Sequence, residues 1–168
     1  GGTMTGNIVM GDDTSIGIAD DAERIEFDGA GDISVLGANL GVGTDAPGAQ
    51  LDIQGPAGTG TATAGVLRLS TAETSIVEYD QFGRIDFIAP LEGSGTDAIL
   101  VGASIWGVAT DTFTSTANKS ALVFATGTSE TATEKMRITD TGNIGIGTTA
   151  PGYTLDVDGN IGYSGTIT

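Results

Sequence analysis

Four carboxylates in the middle of the chain, Asp80, Asp86, Glu92 and Asp97, are the first residues whose type could do chemistry. Glycoside hydrolysis uses two such groups facing each other across a sugar. No spacing here singles out a pair. Histidine is absent, which removes the commonest general base and the commonest transition-metal ligand. Cysteine is absent too, so there is no disulfide framework and no thiolate. The expectation is a chain that is not an enzyme.

Metal chemistry has one motif to test. Asp156-Val157-Asp158-Gly159-Asn160 resembles half of a calcium loop, but such a loop needs a Glu at its twelfth position, and that position is Ile167. Further carboxylates cluster at Gly11–Asp13 and Ala19–Glu23. Strand polar faces and turns explain them, and no cofactor is expected. The remaining candidate is an axial cation such as Ca2+, held by symmetry-related carboxylates. Gly55–Gly60, GPAGTG, lacks the lysine of a phosphate loop and reads as spacer. Tyr79 and Trp106 offer aromatic faces to a glycan or a protein. Trp106 lies in the apolar run ILVGASIWGVA, so its expected place is a core or a subunit interface. Asn118-Lys119-Ser120 is a glycosylation sequon with meaning only in a secreted eukaryotic setting.

Charge narrows the partners. Six basic residues stand against 22 acidic ones, a net charge of −16 over 168 residues. Phosphate backbones and anionic membranes are repelled, so neither nucleic acid nor membrane is an expected partner. No apolar run reaches the roughly 18 residues of a membrane-spanning helix. Starting GGTMTG and ending SGTIT, the sequence reads as an excerpt from a longer polypeptide.

The elements that must carry these residues are strands. Ile8, Ile16, Ile25, Ile33 and Leu40 are 8, 9, 8 and 7 residues apart, with Gly, Asp and Asn between them. Short strands at even spacing with turn residues in the gaps indicate all-β structure. Nothing holds a helical period over three turns; DDAERI at 20–25 is too short. Each strand offers two or three apolar side chains. Chain entropy costs about 1–2 kcal/mol per residue, so these strands need partners, and copies of the chain around an axis would supply them.

The texture changes along the chain. Residues 1–55 read as a thin shaft module and 56–64, PAGTGTATA, as a Gly/Ala/Thr spacer. Residues 65–139 carry longer alternating runs at 65–70, 75–80, 83–90, 98–110, 120–127 and 134–140, and hold six of the nine aromatics, enough for a small β-sandwich. Leu67/Leu69, Ile85/Phe87, Leu100 and Leu122/Phe124 are its expected inward residues. Residues 140–168 return to the thin texture.

A repeat ties the ends together. Asn39–Gly55 and Asn143–Gly159 are identical at ten of seventeen positions at an offset of 104, too long for a solenoid period. Gly41, Gly43, Gly145 and Gly147 lack a Cβ, which suits close backbone approach at a trimer axis. Pro151 ends a strand, and Leu155/Val157 alternate with Asp156/Asp158.

The stretch EKMRITDTGNIGIGTTAPGYTLDVDGNI (134–161) resembles a segment recurring in bacteriophage tail fibres and receptor-binding fibres, often ahead of a C-terminal chaperone domain. The matching residues are Arg137, Ile138, Gly142–Thr149, Pro151, Leu155, Val157 and Gly159. GGTMTGNI (1–8) resembles a common opening of fibre shafts, and the run from GRIDFIAP to EKMRI resembles the domain such fibres carry before the motif. The first copy departs at 44–50, where TDAPGAQ replaces TTAPGYT. The resemblance implies a homotrimer of intertwined β-helix or β-prism shaft modules flanking the sandwich. It implies a virion location, host attachment or fibre architecture as the role, and fibre or baseplate proteins and host-surface glycan or protein as partners. The alternatives are the stalk of a trimeric bacterial surface adhesin and a calcium-dependent carbohydrate-binding module; the latter predicts a monomer.

Overall fold

The structure, a computed structural model, describes residues 14–17, 24–27, 33–36, 38–162 and 164. The acidic clusters at 11–13 and 19–23, the opening at 1–8, Ile167 and most of the helical candidate at 20–25 lie outside them. The described residues form strands joined by turns, with two short 3-10 turns at Thr61–Thr63 and Asp97–Ile99 and no α-helix. The chain divides into two units, Gly1–Arg68 and Leu69–Thr168.

In the first unit, β1 (Thr14–Gly17), β2 (Arg24–Phe27) and β3 (Ile33–Leu36) form an antiparallel meander. Its strands fall on the even spacing of Ile16, Ile25 and Ile33. β4 (Leu40–Val42) and β5 (Leu51–Ile53) form a separate parallel pair. The Gly/Ala/Thr segment then doubles back. A Cβ on Gly55 would lie 2.2 Å from the Thr63 carbonyl oxygen, and one on Gly65 would lie 2.0 Å from that of Ile53. The two chain segments pass so closely that only glycine fits.

The second unit is one six-stranded sheet. β6 (Gln81–Ile88), β7 (Val101–Ala109), β8 (Ser120–Thr126), β9 (Thr133–Ile138) and β10 (Ile144–Ile146) pair antiparallel in order, and β11 (Leu155–Val157) adds parallel to β10. The C-terminal copy of the repeat therefore continues the sheet.

Two expected strands are absent, and the second layer of a sandwich with them. Residues 65–70 alternate correctly, but no described strand pairs with them; alternation selects a face, whereas a strand also needs a neighbouring edge. Residues 75–80 end in a tight turn. The Asp80 carboxylate accepts the Val77 N–H at 2.8 Å, and the Asp80 N–H donates to the Val77 carbonyl at 3.1 Å. An aspartate that hydrogen-bonds its own backbone overrides the strand pattern.

The single layer reverses the expected inside. Over residues 38–162 the buried residues are Ser104, Val108, Ala109, Ala121, Val123, Ala125 and Gly145. Leu67, Leu69, Ile85, Phe87 and Leu122, expected inward, are exposed. Over residues 38–162 no leucine, isoleucine, phenylalanine or methionine is buried, although these types are ordinarily among the most buried.

Candidate functional site

The repeat has a local explanation. Parallel strands usually need a crossover of about a dozen residues or more. Here residues 43–50 and 147–154 suffice, because side chains satisfy the loop's backbone groups. Asn39 and Asn143 donate their side-chain amides to the carbonyls of Pro47 and Pro151, at 3.2 and 3.3 Å. The Thr44 and Thr148 hydroxyls accept the N–H groups of Ala46 and Ala150. The carboxylates of Asp52 and Asp156 accept those of Gly48 and Gly152, at 2.9 and 2.8 Å. The ten identities are thus largely the residues that build one loop twice.

The four glycines proposed for an axis have their close neighbours within the chain. A Cβ on Gly41 would sit 2.4 Å from the Thr44 carbonyl oxygen, and one on Gly145 would sit 2.5 Å from that of Thr148. Gly43 and Gly147 take φ values of 82° and 74°, a left-handed conformation that glycine adopts without penalty. The loop alone therefore requires them.

Register sorts the sheet into two chemically different faces, because paired residues share a side. One row reads Ile85–Ile105–Phe124–Met136–Ile146–Val157 across all six strands. The adjoining row reads Leu122–Ile138–Ile144–Leu155 from β8 to β11, behind Gly107. Every side chain in both rows is apolar. Phe82 packs over Gly107 at one end of this face, and its ring centroid lies 5.9 Å from that of Phe113. Elsewhere the face is open: Phe87 is 54% exposed and Leu155 is 55% exposed.

The opposite face carries the row Arg84–Trp106–Val123–Arg137–Gly145–Asp156. Small residues form its floor and long polar side chains cover them. Trp106 packs against Val108, Ala121 and Val123, and the Arg84 guanidinium stacks over its ring at 5.5 Å. The Asp86 carboxylate accepts the Ser104 hydroxyl at 2.6 Å and pairs with Arg84. The Ser104 hydrogen bond first, and Arg84 second, hold the Asp86 carboxyl below its ordinary range. Arg137 makes a two-pronged contact with Glu134, at 2.6 and 2.8 Å, and both side chains are largely buried. Residues three apart in a regular strand face opposite ways. A register shift opposite Phe124/Ala125 brings Glu134 round to the side of Arg137.

Asp80, Asp86, Glu92 and Asp97 are spread along β6 and its two flanks. Asp80 precedes β6, whereas Glu92 and Asp97 follow it; eight residues at about 3.3 Å each separate those ends. Glu92 is held ionised, chiefly by the Ser94 hydroxyl. Neither Asp86 nor Glu92 is shifted in the direction a general acid needs. Among the described residues no three acidic groups gather as a metal cluster. The Asp156 carboxylate of the calcium-like stretch faces its own loop.

Trp106 and Tyr79 part company. Trp106 is half-buried, as its apolar context indicates, and its face is taken by Arg84. Tyr79 is 77% exposed and has φ 76°. It borders a cavity of about 560 Å³ on the polar face, walled by Glu78, Arg137, Asp140, Thr141 and the Thr149–Pro151 loop. The sequence did not bring these residues together; only Arg137 and the threonine–proline loop stood out, and for another reason.

No family model matches the sequence, and no curated protein matches it.

Proposed function

We propose that this chain is a structural segment of a bacteriophage-like tail fibre, built as a homotrimer and located on the virion surface. The observation that carries the reading is the uncovered apolar face of the six-stranded sheet. Ile85, Phe87, Leu122, Ile146 and Leu155 are each 41–55% exposed on it, and a contiguous exposed apolar patch marks an interaction surface. Three such sheets turned toward a common axis would form a β-prism with a dry interior and the charged faces outward. The acidic excess, −16 per chain, is tolerable only if the interface itself is uncharged, and both rows are. The resemblance of residues 134–161 to fibre segments supports three as the number.

The same stripe recurs in the first copy of the repeat, where Leu40, Val42 and Leu51 are exposed on one side of the β4–β5 pair. The role is mechanical: the assembled segment holds neighbouring fibre parts away from the particle and supports attachment.

Light scattering on the purified chain tests this. The expected mass is three times 16.7 kDa and is unchanged on dilution. Phe124→Glu, which places a charge in the middle of the six-residue row, should break the assembly. A folded wild-type monomer sinks the reading.

A further inference from the structure

We infer that the cavity beside Tyr79 is a binding site for a neutral saccharide, with the tyrosine ring as its stacking platform. The first argument is conformational. Tyr79 sits in the left-handed region at φ 76°, which costs a bulky L-residue on the order of 1–2 kcal/mol. The turn leaves it no alternative. Its N–H donates to the Ala109 carbonyl at 2.9 Å, the Ala109 N–H donates to the Asp80 carbonyl at 2.9 Å, and the Asp80 carboxylate closes the turn on Val77. Glycine would satisfy this backbone without strain. Packing gives no reason for tyrosine either, because the residue is 77% exposed. A strained residue that buries little is a mark of function.

The second argument is the chemistry of the cavity. At about 560 Å³ it falls within the size range of small-ligand sites. Its lining mixes acidic residues (Glu78, Asp140), threonines and Arg137 with the apolar Val108, Ala150 and Pro151. Glu134 engages only two of the guanidinium's five N–H groups. Adjacent hydroxyls on a sugar both donate and accept, and its C–H face stacks on an aromatic ring; this lining meets both needs. Phosphate and nucleotide ligands are disfavoured by the two carboxylates, and a cationic amine by Arg137.

The third argument is placement. Val108 and Arg137 belong to the polar face, so the cavity stays open when the apolar face is covered. The site requires nothing of the trimer and goes beyond the fibre reading.

Saturation-transfer NMR with methyl glycosides of glucose, galactose and N-acetylglucosamine tests it. The variants are Tyr79→Gly and Trp106→Phe, each checked for its unfolding midpoint and its mass by light scattering. The expected result is a signal from at least one glycoside that falls at least tenfold in Tyr79→Gly, persists in Trp106→Phe, and accompanies an unfolding midpoint no lower than wild type. No glycoside signal that depends on Tyr79 overturns the proposal. So does a lowered midpoint in Tyr79→Gly with the signal intact, since the ring would then be structural. The mass reports separately on the fibre reading, which can fail without the site failing.

Discussion

Alanine at position 145 gives the sharpest test of the account of the repeat. The new methyl would stand 2.5 Å from the Thr148 carbonyl oxygen and 3.4 Å from the Pro151 ring. The first distance is shorter than any real carbon–oxygen contact, and the blocking atom belongs to the backbone, so the Gly147–Thr154 loop must move by about 1 Å to restore van der Waals distance. That loop sets the register of β11 on β10 through Ile144 N–H to Thr154 O at 2.8 Å and Asp158 N–H to Ile146 O at 2.9 Å. Overpacking of this kind costs about 1–3 kcal/mol. With a urea slope of roughly 1–3 kcal/mol per molar, the midpoint should fall by about 1 M. Gly152→Ala is the matched control: its nearest neighbour is the Asp156 carboxylate at 3.8 Å, an ordinary contact, and its cost should stay within about 0.5 kcal/mol. The assay is urea unfolding followed by circular dichroism at one fixed protein concentration, with mass measured in parallel. Equal midpoints for the two variants refute the within-chain explanation. A mass change in Gly145→Ala with an unaltered midpoint does the same, and returns the glycine to a contact between chains.

Three further outcomes follow from the polar face and the loops. Arg137→Lys keeps the charge but loses the two-pronged contact with the largely buried Glu134; it should lower stability by about 1–3 kcal/mol, read as the denaturant midpoint. Asp86 has a depressed folded-state pKa, so its contribution is complete above the ordinary aspartate value of about 4 and is lost as pH falls through the folded value. The thermal midpoint should therefore drop on acidification below that value, with a shallower drop in Asp86→Asn; identical acid limbs would refute the link. Asp52→Ala and Asp156→Ala each leave a loop N–H without its carboxylate and should each cost about 1 kcal/mol. Similar costs are expected because the two copies make the same bond.

Local signals were legible where one residue's own chemistry decided the outcome. The spacing of Ile16, Ile25, Ile33 and Leu40 marks four strands because turn residues separate short apolar groups, although only the first three pair as a meander. The turn at Val77–Asp80 was legible only in hindsight: VEYD alternates well enough to pass for strand, and the competing aspartate hydrogen bond is visible only once the backbone has closed. Residues 65–70 show the complementary failure, because no alternation can state that a neighbouring edge is available.

The sequence by itself determined that the chain is β-structured, strongly acidic, without histidine or cysteine chemistry, and built with one loop used twice. Those properties are local or additive, so composition and spacing carry them. Tertiary structure decided which side of each strand is inside. Leu122 and Val123 are equally apolar neighbours; pairing put Val123 under the long side chains of the polar face and left Leu122 open. It also decided that Glu134 meets Arg137, through a one-residue register shift that reverses a strand's alternation. It separated Tyr79 from Trp106 as well, by stacking Arg84 on one ring and holding the other outward on a strained turn. Each of these depends on register between segments distant in sequence, and register is set by the sum of all cross-strand contacts.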